Sequence, residues 1–319
     1  MKFWYGFSFI LIFALILLGI YFSTQKTNQE FNTIVSSYTL NSPRIISDSL
    51  NNPSIEEVNF DSEFNGVKDV VISTNGRYGL FIKYYPNLHK SGDWSFDGTY
   101  DTSLSYYFNE GKLFYGASLF KTPIAIATLL ELEEGNLSMG DTIVYLASDY
   151  SEGTGDINRG EFGSVYTIDE VLSKLLKKSD NTAQNILLRV LGWPAISDTF
   201  KAIGVSPDYF NKNFLSPEDG VLVFDTIIKS SILAKNSGAY ILELLDSTDF
   251  DNRLDIGIDG EIDFSHKIGT DIGTYHDCGV ASGVSGTAVV CLLSENTNQE
   301  EFELIAQKVG KFITVLVGH

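Results

Sequence analysis

Cysteine and histidine are scarce in this sequence, with two of the first and four of the second among 319 residues. Two thiols are too few for a small fold held together by disulfides, and too few for an all-cysteine zinc site. The histidines are scattered, with no HExxH or CxxC spacing, so no metal and no cofactor is expected. Positive charge is also short. Lys and Arg number 22 against 41 Asp and Glu, a net charge of −19, which argues against nucleic acid or anionic lipid as an electrostatic partner. No internal repeat occurs at periods of roughly 20–50 residues. What is present is 44% hydrophobic and 20% charged, a globular composition, in a length that allows one large domain or two small ones.

The first residues stand apart. Phe3 to Phe22 carries no charge over twenty positions, enough helix to span roughly 30 Å, the thickness of a bilayer core. Residues 1–23 therefore read as a membrane anchor or uncleaved signal. A cleaved signal peptide is the alternative, although "YFSTQK" offers no A-x-A-like site. Residues 24–57 are rich in Asn, Ser and Thr and poor in aromatics, the composition of a polar tether. Residues 58–319 form the globular part, which this arrangement would place outside the cytoplasm. No later stretch is long and apolar enough to span again.

Within the globular part the periodicity predicts a helix over Phe60–Ile72 and a strand over Arg77–Tyr85, followed by a turn-rich stretch from Gly92 to Gly98. "SLFKTPIAIATLLELEEG" reads as one helix with Pro123 in its first turn and Gly135 as its stop. "TIDEVLSKLLKK" opens with a capping box from Thr167 to Glu170, ahead of Leu172, Leu175 and Leu176 on one face. A second amphipathic run covers Ala183–Leu191. Ser216 and Pro217 mark another helix start. Near the end, "IDFSHKIG", "DCGVA" and "TAVVCLLSE" read as short strands, the last two joined by the "SGVSG" turn, with a final helix over Glu300–Val317. A strand, then many helices, then strands and a helix suggest an α+β fold: an antiparallel sheet carrying helices, plus an all-helical insertion.

Three short motifs carry chemistry. In "ASLFK", Ser118 and Lys121 are three apart at a helix start, which puts both side chains on one face. A lysine desolvated in a pocket can serve as the base that makes a serine nucleophilic. "KSDNTAQN" places Ser179, Asp180 and Asn181 between two helices, where a plain helix cap is the structural alternative. "HKIGT" places Lys267 and Gly269 at a strand end, the glycine leaving room for a substrate backbone along the strand edge. Ser179 follows Lys121 by 58 residues, and Lys267 follows Ser179 by 88.

In this order, S-x-x-K, S-D-N and K-x-G resemble the signature of class A β-lactamases and penicillin-binding proteins. "FYGASLFKTPIAIATLLELEEGNLSMGDTI", "YTIDEVLSKLLKKSDNTAQNILLRVLG" and "HKIGTDIGTYHDCGV" are similar to class A segments, and the resemblance covers the chain from about Asn59 onward. It implies a β-lactamase/transpeptidase-like fold and an acyl-enzyme on Ser118 with Lys121 as proton acceptor. It also implies an oxyanion hole from the backbone N–H groups of Ser118 and Thr270. Ser179 and Lys267 would deliver a proton to the leaving nitrogen, and Asn181, with Gly269 and Thr270, would hold the substrate.

Two departures stand out. Class A enzymes carry a loop glutamate that activates the deacylating water. Here that interval, "FKAIGVSPDYFNKNFLSPEDG", is short and lacks the pattern. Asp208 is the candidate base within it, while Glu218 is better explained by the first turn of a helix. Ile268 stands where the family has Thr or Ser, and Thr270, on the same strand face, can replace that hydroxyl. Cys278 and Cys291 are symmetric about the hairpin turn, so a cross-strand disulfide and two buried thiols are both compatible with the sequence. His276 and Arg253 are expected to make core or turn hydrogen bonds.

The sequence thus supports a monomeric, membrane-anchored, extracytoplasmic serine hydrolase acting on a small β-lactam. A D-alanyl-D-alanine peptidase or transpeptidase acting on peptidoglycan peptides is the alternative suggested by the missing glutamate. A non-catalytic binding module on the same fold is a third reading, suggested by Ile268 and the short loop.

Overall fold

The computed structural model describes residues 59–318. The expected anchor and tether, residues 1–57, lie outside the described residues; among those described, no helix is long and apolar enough to cross a membrane.

Helix α1 (Phe60–Ile72) starts at Asn59, whose Oδ1 accepts the Ser62 N–H at 3.0 Å. Strand β1 (Arg77–Tyr85) follows, and both elements have the bounds read from the sequence. The turn-rich stretch is a hairpin of β2 (Leu88–Ser91) and β3 (Ser95–Gly98). Strand β4 (Leu104–Phe108) and the two-residue β5 (Phe114–Tyr115) come next. The helix expected from Ser118 is two pieces, a 3-10 turn over Ala117–Phe120 and helix α2 (Lys121–Glu133), which ends just before Gly135 at φ 78°.

A short hairpin of β6 (Thr142–Val144) and β7 (Val165–Thr167) leads into α3 (Ile168–Lys177). The expected capping box is present: Thr167 Oγ1 accepts the Glu170 N–H at 3.2 Å, and Glu170 Oε2 accepts the Thr167 N–H at 2.7 Å. Leu172, Leu175 and Leu176 are buried together. Helix α4 (Asn181–Ile203) runs well past Leu191 through a kink at Gly192, φ 75°, two residues before Pro194. The short interval holds a helix of its own, α5 (Pro207–Lys212), and the two-residue β8 (Phe214–Leu215), which pairs with β5. Helix α6 (Pro217–Lys229) starts at Ser216 as expected, with Asp219 closing the capping box, and α7 (Lys235–Asp246) follows.

After a 3-10 turn over Leu254–Gly257, the chain forms β9 (Asp263–Asp271), β10 (Thr274–Gly283), β11 (Gly286–Glu295) and α8 (Gln299–Val317). The main sheet is antiparallel in the order β4-β1-β11-β10-β9, so β9 is an edge. The two-residue alternation of side chains divides its core. Leu80, Ile82, Val290 and Leu292 pack with α1 and α8 on one face. Tyr85, Val280, Val289 and Leu293 pack toward α6 and the helical insertion on the other. Cys278 and Cys291 face each other across β10 and β11 and form a disulfide. Helix α6 lies so close above it that a Cβ on Gly220 would stand 2.2 Å from Cys291 Sγ.

On the α8 face, His266 and Asp277 form a buried pair, Nδ1 to Oδ1 2.8 Å. Asp277 Oδ2 also accepts the Leu254 N–H at 3.0 Å. Burial alone would lower the His266 pKa, but Asp277 and Asp251 outweigh it and raise it to about 9. A raised histidine stabilises the fold fully below its unfolded pKa, and that contribution is lost as pH rises through the folded one. The melting temperature is therefore expected to fall between about pH 7 and 9. His266→Asn should lower it at neutral pH and flatten that slope, because the variant leaves Asp277 buried without its cation. Melting curves across this range check it; an equally steep slope in the variant would contradict the assignment.

Candidate active site

The boundary between sheet and helical insertion brings the three motifs together. Gly116 and Ala117 form the sharp bend between β5 and the 3-10 turn, and Ala117 is held at φ 46°. This bend presents Ser118 half-buried at the start of the turn. Lys121, at the head of α2, is 1% exposed. Its Nζ lies 2.8 Å from Ser118 Oγ, 2.7 Å from the Ser179 carbonyl oxygen and 2.7 Å from Asn181 Oδ1.

Two of these three partners can only accept. Nζ donates to both of these, and the Ser118 hydroxyl, which can accept or donate, can take a third N–H from an ammonium or give its own to the lone pair of a neutral amine. Burial drives Lys121 in that direction, lowering its pKa from the ordinary 10.5 to about 7, with the Asp180 carboxylate pulling the other way.

Ser179 sits in the left-handed region at φ 51°. That turn aims its hydroxyl between two lysines: Lys267 Nζ donates to it at 2.9 Å, and Lys121 Nζ lies 3.3 Å away. Lys267 reaches the site from the edge strand β9 and also donates to the Ile268 carbonyl at 2.9 Å. Burial, and then the neighbouring Lys121, push its pKa well below the ordinary value, while Asp277 opposes them.

Within the S-D-N segment the helix-cap reading is met by Asp180, which accepts the N–H groups of Ala183, Asp156 and Ile157. Ser179 and Asn181 face the site, and Asn181 Nδ2 donates to the Glu152 carbonyl at 2.9 Å. The loop over Glu152–Asp156 can approach because Gly153 and Gly155 have φ above 110° and no Cβ; one on Gly155 would lie 2.2 Å from Asp180.

Gly269 has a packing reason of its own. Its missing Cβ leaves room for the Gly116 carbonyl and the His276 ring, at 3.0 and 3.1 Å from where that atom would be. The residue lets β9 pack against the bend that precedes Ser118. His276 is buried there, its Nε2 2.6 Å from the Tyr115 carbonyl and its Nδ1 accepting the Ser294 N–H at 3.1 Å. Burial lowers its pKa to about 4, so it is a neutral brace, as its hydrogen-bonding role implies.

Asp208 lies in the first turn of α5 and is paired with Lys212 at 2.9 Å. Among the described residues, no carboxylate hydrogen-bonds Ser118, Lys121, Ser179 or Lys267. Ile268 is buried, and Thr270 is exposed on the same strand face. Arg253 donates to Thr270 Oγ1 at 3.2 Å. The residue is 3% exposed, its guanidinium lies over the Tyr275 and Phe302 rings, and its Nε has no acceptor. The Asp277, Glu303 and Asp255 carboxylates act on it without an ion pair at contact distance among the described residues. A buried cation hydrogen-bonded to the hydroxyl of an exposed threonine suits a carboxylate. Sequence reasoning assigned Arg253 no chemical part. The signal for it was faint: Arg253 is the only basic residue between Asp246 and Glu261.

An antiparallel sheet and a helical insertion, with a half-buried serine beside a buried lysine at their boundary, make up the mixed α/β architecture of the β-lactamase fold. The chain belongs to the β-lactamase enzyme family, whose model matches residues 66–315. It is 28% identical over 195 residues to β-lactamase VEB-1 of Pseudomonas aeruginosa, covering 55% of this chain and 64% of that protein. To a β-lactamase of Streptomyces fradiae it is 29% identical over 187 residues, covering 52% and 60%. The matches thus span less than two thirds of these relatives' length. Among solved structures, a β-lactamase from Sphaerobacter thermophilus superposes with a TM-score of 0.69 at 22% identity, covering 81% of this chain and 97% of that one. A PBP-A variant captured as an acyl-enzyme with penicillin G gives 0.67 at 21%, covering 80% and 97%. At these identities the superpositions speak to the fold.

The Lys121 environment yields a pH dependence. The rate at which a penicillin adds covalently to the protein, followed by intact-protein mass spectrometry, should rise with pH to a midpoint near about 7 and then level. Lys121→Ala should slow it by about 10²–10⁴-fold.

Proposed function

We propose that this chain opens β-lactams through an acyl-enzyme on Ser118. The observation that carries the reading is the 2.8 Å contact between Ser118 Oγ and a buried Lys121 whose pKa lies near 7. Neutral Lys121 takes the hydroxyl proton as Oγ attacks the lactam carbonyl. The backbone N–H groups of Ser118 and Thr270 meet the charge that develops on oxygen. Ser179, hydrogen-bonded to both lysines, passes a proton to the lactam nitrogen; the C–N bond breaks and an ester on Ser118 remains. Asn181 Nδ2 has one proton beyond that given to Glu152, which suits the acylamide carbonyl of the substrate. Thr270 and Arg253 receive the carboxylate in place of the hydroxyl that Ile268 lacks. The apolar run Phe3–Phe22 would hold the enzyme, as a monomer, on the outer side of a membrane.

Water must then cleave the ester. With Asp208 engaged by Lys212 and no carboxylate bound to the cluster, deacylation lacks assistance worth about 10²–10⁴-fold. That favours a second reading, a penicillin-binding D-alanyl-D-alanine peptidase or transpeptidase, which shares every step up to the ester.

A chromogenic cephalosporin, followed with the wild-type chain and with Ser118→Ala, tests both. A burst near one equivalent followed by slow turnover, absent in the variant, is expected. Sustained fast turnover would require a deacylation base elsewhere, and no reaction with either protein would leave a binding module on this fold. Arg253→Ala should lower kcat/KM about 10–100-fold for a substrate with a free carboxylate, the worth of one charged hydrogen bond, and leave a carboxylate ester nearly unaffected. Equal losses for both substrates would remove Arg253 from the substrate site.

A further inference from the structure

One residue next to the nucleophile's bend is used by none of these steps. Asn213 follows α5 in the left-handed region at φ 54°. It grips the bend in two places: its carbonyl accepts the Gly116 N–H at 2.7 Å, and its Nδ2 donates to the Ala117 carbonyl at 2.9 Å. Its Oδ1 is buried without a partner, against the Cα of Gly116, where a Cβ would come within 2.4 Å. The amide cannot be turned over, because that would set Oδ1 against the Ala117 carbonyl oxygen.

The Ala117 carbonyl belongs to the same planar unit as the Ser118 N–H. In a trans peptide the two point in opposite directions, and no peptide bond described is cis. Holding the carbonyl therefore aims the N–H. That N–H opens a helical turn, so it has no acceptor within the turn itself. The hold is made against strain, since Ala117 is kept at φ 46°, a conformation that residues with a Cβ avoid.

We propose that Asn213 is a positioning residue for the oxyanion hole, fixing the direction of the Ser118 N–H through the Ala117 carbonyl. The inference rests on the proposed acyl-enzyme chemistry at Ser118. Asn213 touches no substrate; its effect appears only as charge builds on the attacked carbonyl oxygen.

The test uses the full chain and two substitutions. Asn213→Gly keeps the left-handed backbone and the Gly116 contact while removing only the side-chain grip. Asn213→Asp keeps the shape but faces the Ala117 carbonyl with an acceptor. For each, three quantities are measured: the acylation rate with benzylpenicillin, the reversible affinity for benzylpenicillin in a Ser118→Ala background, and the infrared stretch of the acyl-ester carbonyl. Acylation should slow about 10²–10³-fold, as for loss of one oxyanion donor. Affinity should change less than about twofold, since ground-state binding does not use the donor, and the ester stretch should move to higher frequency. Adding Ala117→Gly, which makes the left-handed bend free of strain, should recover part of the rate. Unchanged acylation, rate and affinity falling together, or an unshifted ester band would overturn the proposal. A wild-type chain that is not acylated at all would overturn the reading beneath it, and the proposal with it.

Discussion

Two buried lysines converge on one hydroxyl. Lys121 and Lys267 both reach Ser179 Oγ, and no carboxylate is hydrogen-bonded to either among the described residues. Two full positive charges at this distance, out of water, are unfavourable for each other and for their own solvation. The site therefore favours fewer protons than two free lysines would carry, because the fold denies both their usual solvent. The acidic surface of the chain, net −19, does not supply counterions here; Asp180 and Asp277 act from behind the first ring of contacts.

Keeping such a pair requires rigid delivery from separate elements. Lys121 comes on the head of α2 and Lys267 on the edge strand β9, while Ser179 stands at a turn that would suit glycine better. Non-glycine residues at positive φ recur around the site, at Ala117, Ser179 and Asn213. Backbone held this way persists where surrounding contacts over-determine it. Those contacts are visible: Asp180 anchors the loop over residues 152–157, and neutral His276 braces Tyr115.

Much of this was legible in the sequence because it depends on local rules. The helix at Phe60, the strand at Arg77 and the capping boxes at Thr167 and Ser216 follow from spacing and from what each side chain can bond to nearby. The serine–lysine pair followed from helical geometry, although a 3-10 turn precedes the helix. What could not be read depends on partners far along the chain. Strands β5 and β8 are two residues each and exist only because they pair with one another. Arg253 gains its place from the register that sets Thr270 beside it, and Gly269 is explained by the approach of the Gly116 carbonyl across some 150 positions of sequence. A motif states which residues matter without stating what each one touches.

The sheet joins strands from the two ends of the globular part: β1 pairs with β11, Arg77 opposite Glu295, while Ser118, Lys121 and Ser179 lie in the insertion between. During synthesis the serine and its first lysine leave the ribosome long before β9 exists to bring Lys267. Until the last strands arrive, the site lacks Lys267 and its donation to Ser179 Oγ. The full set of contacts around the Ser179 hydroxyl is thus withheld from the nascent chain and completed only when the sheet closes.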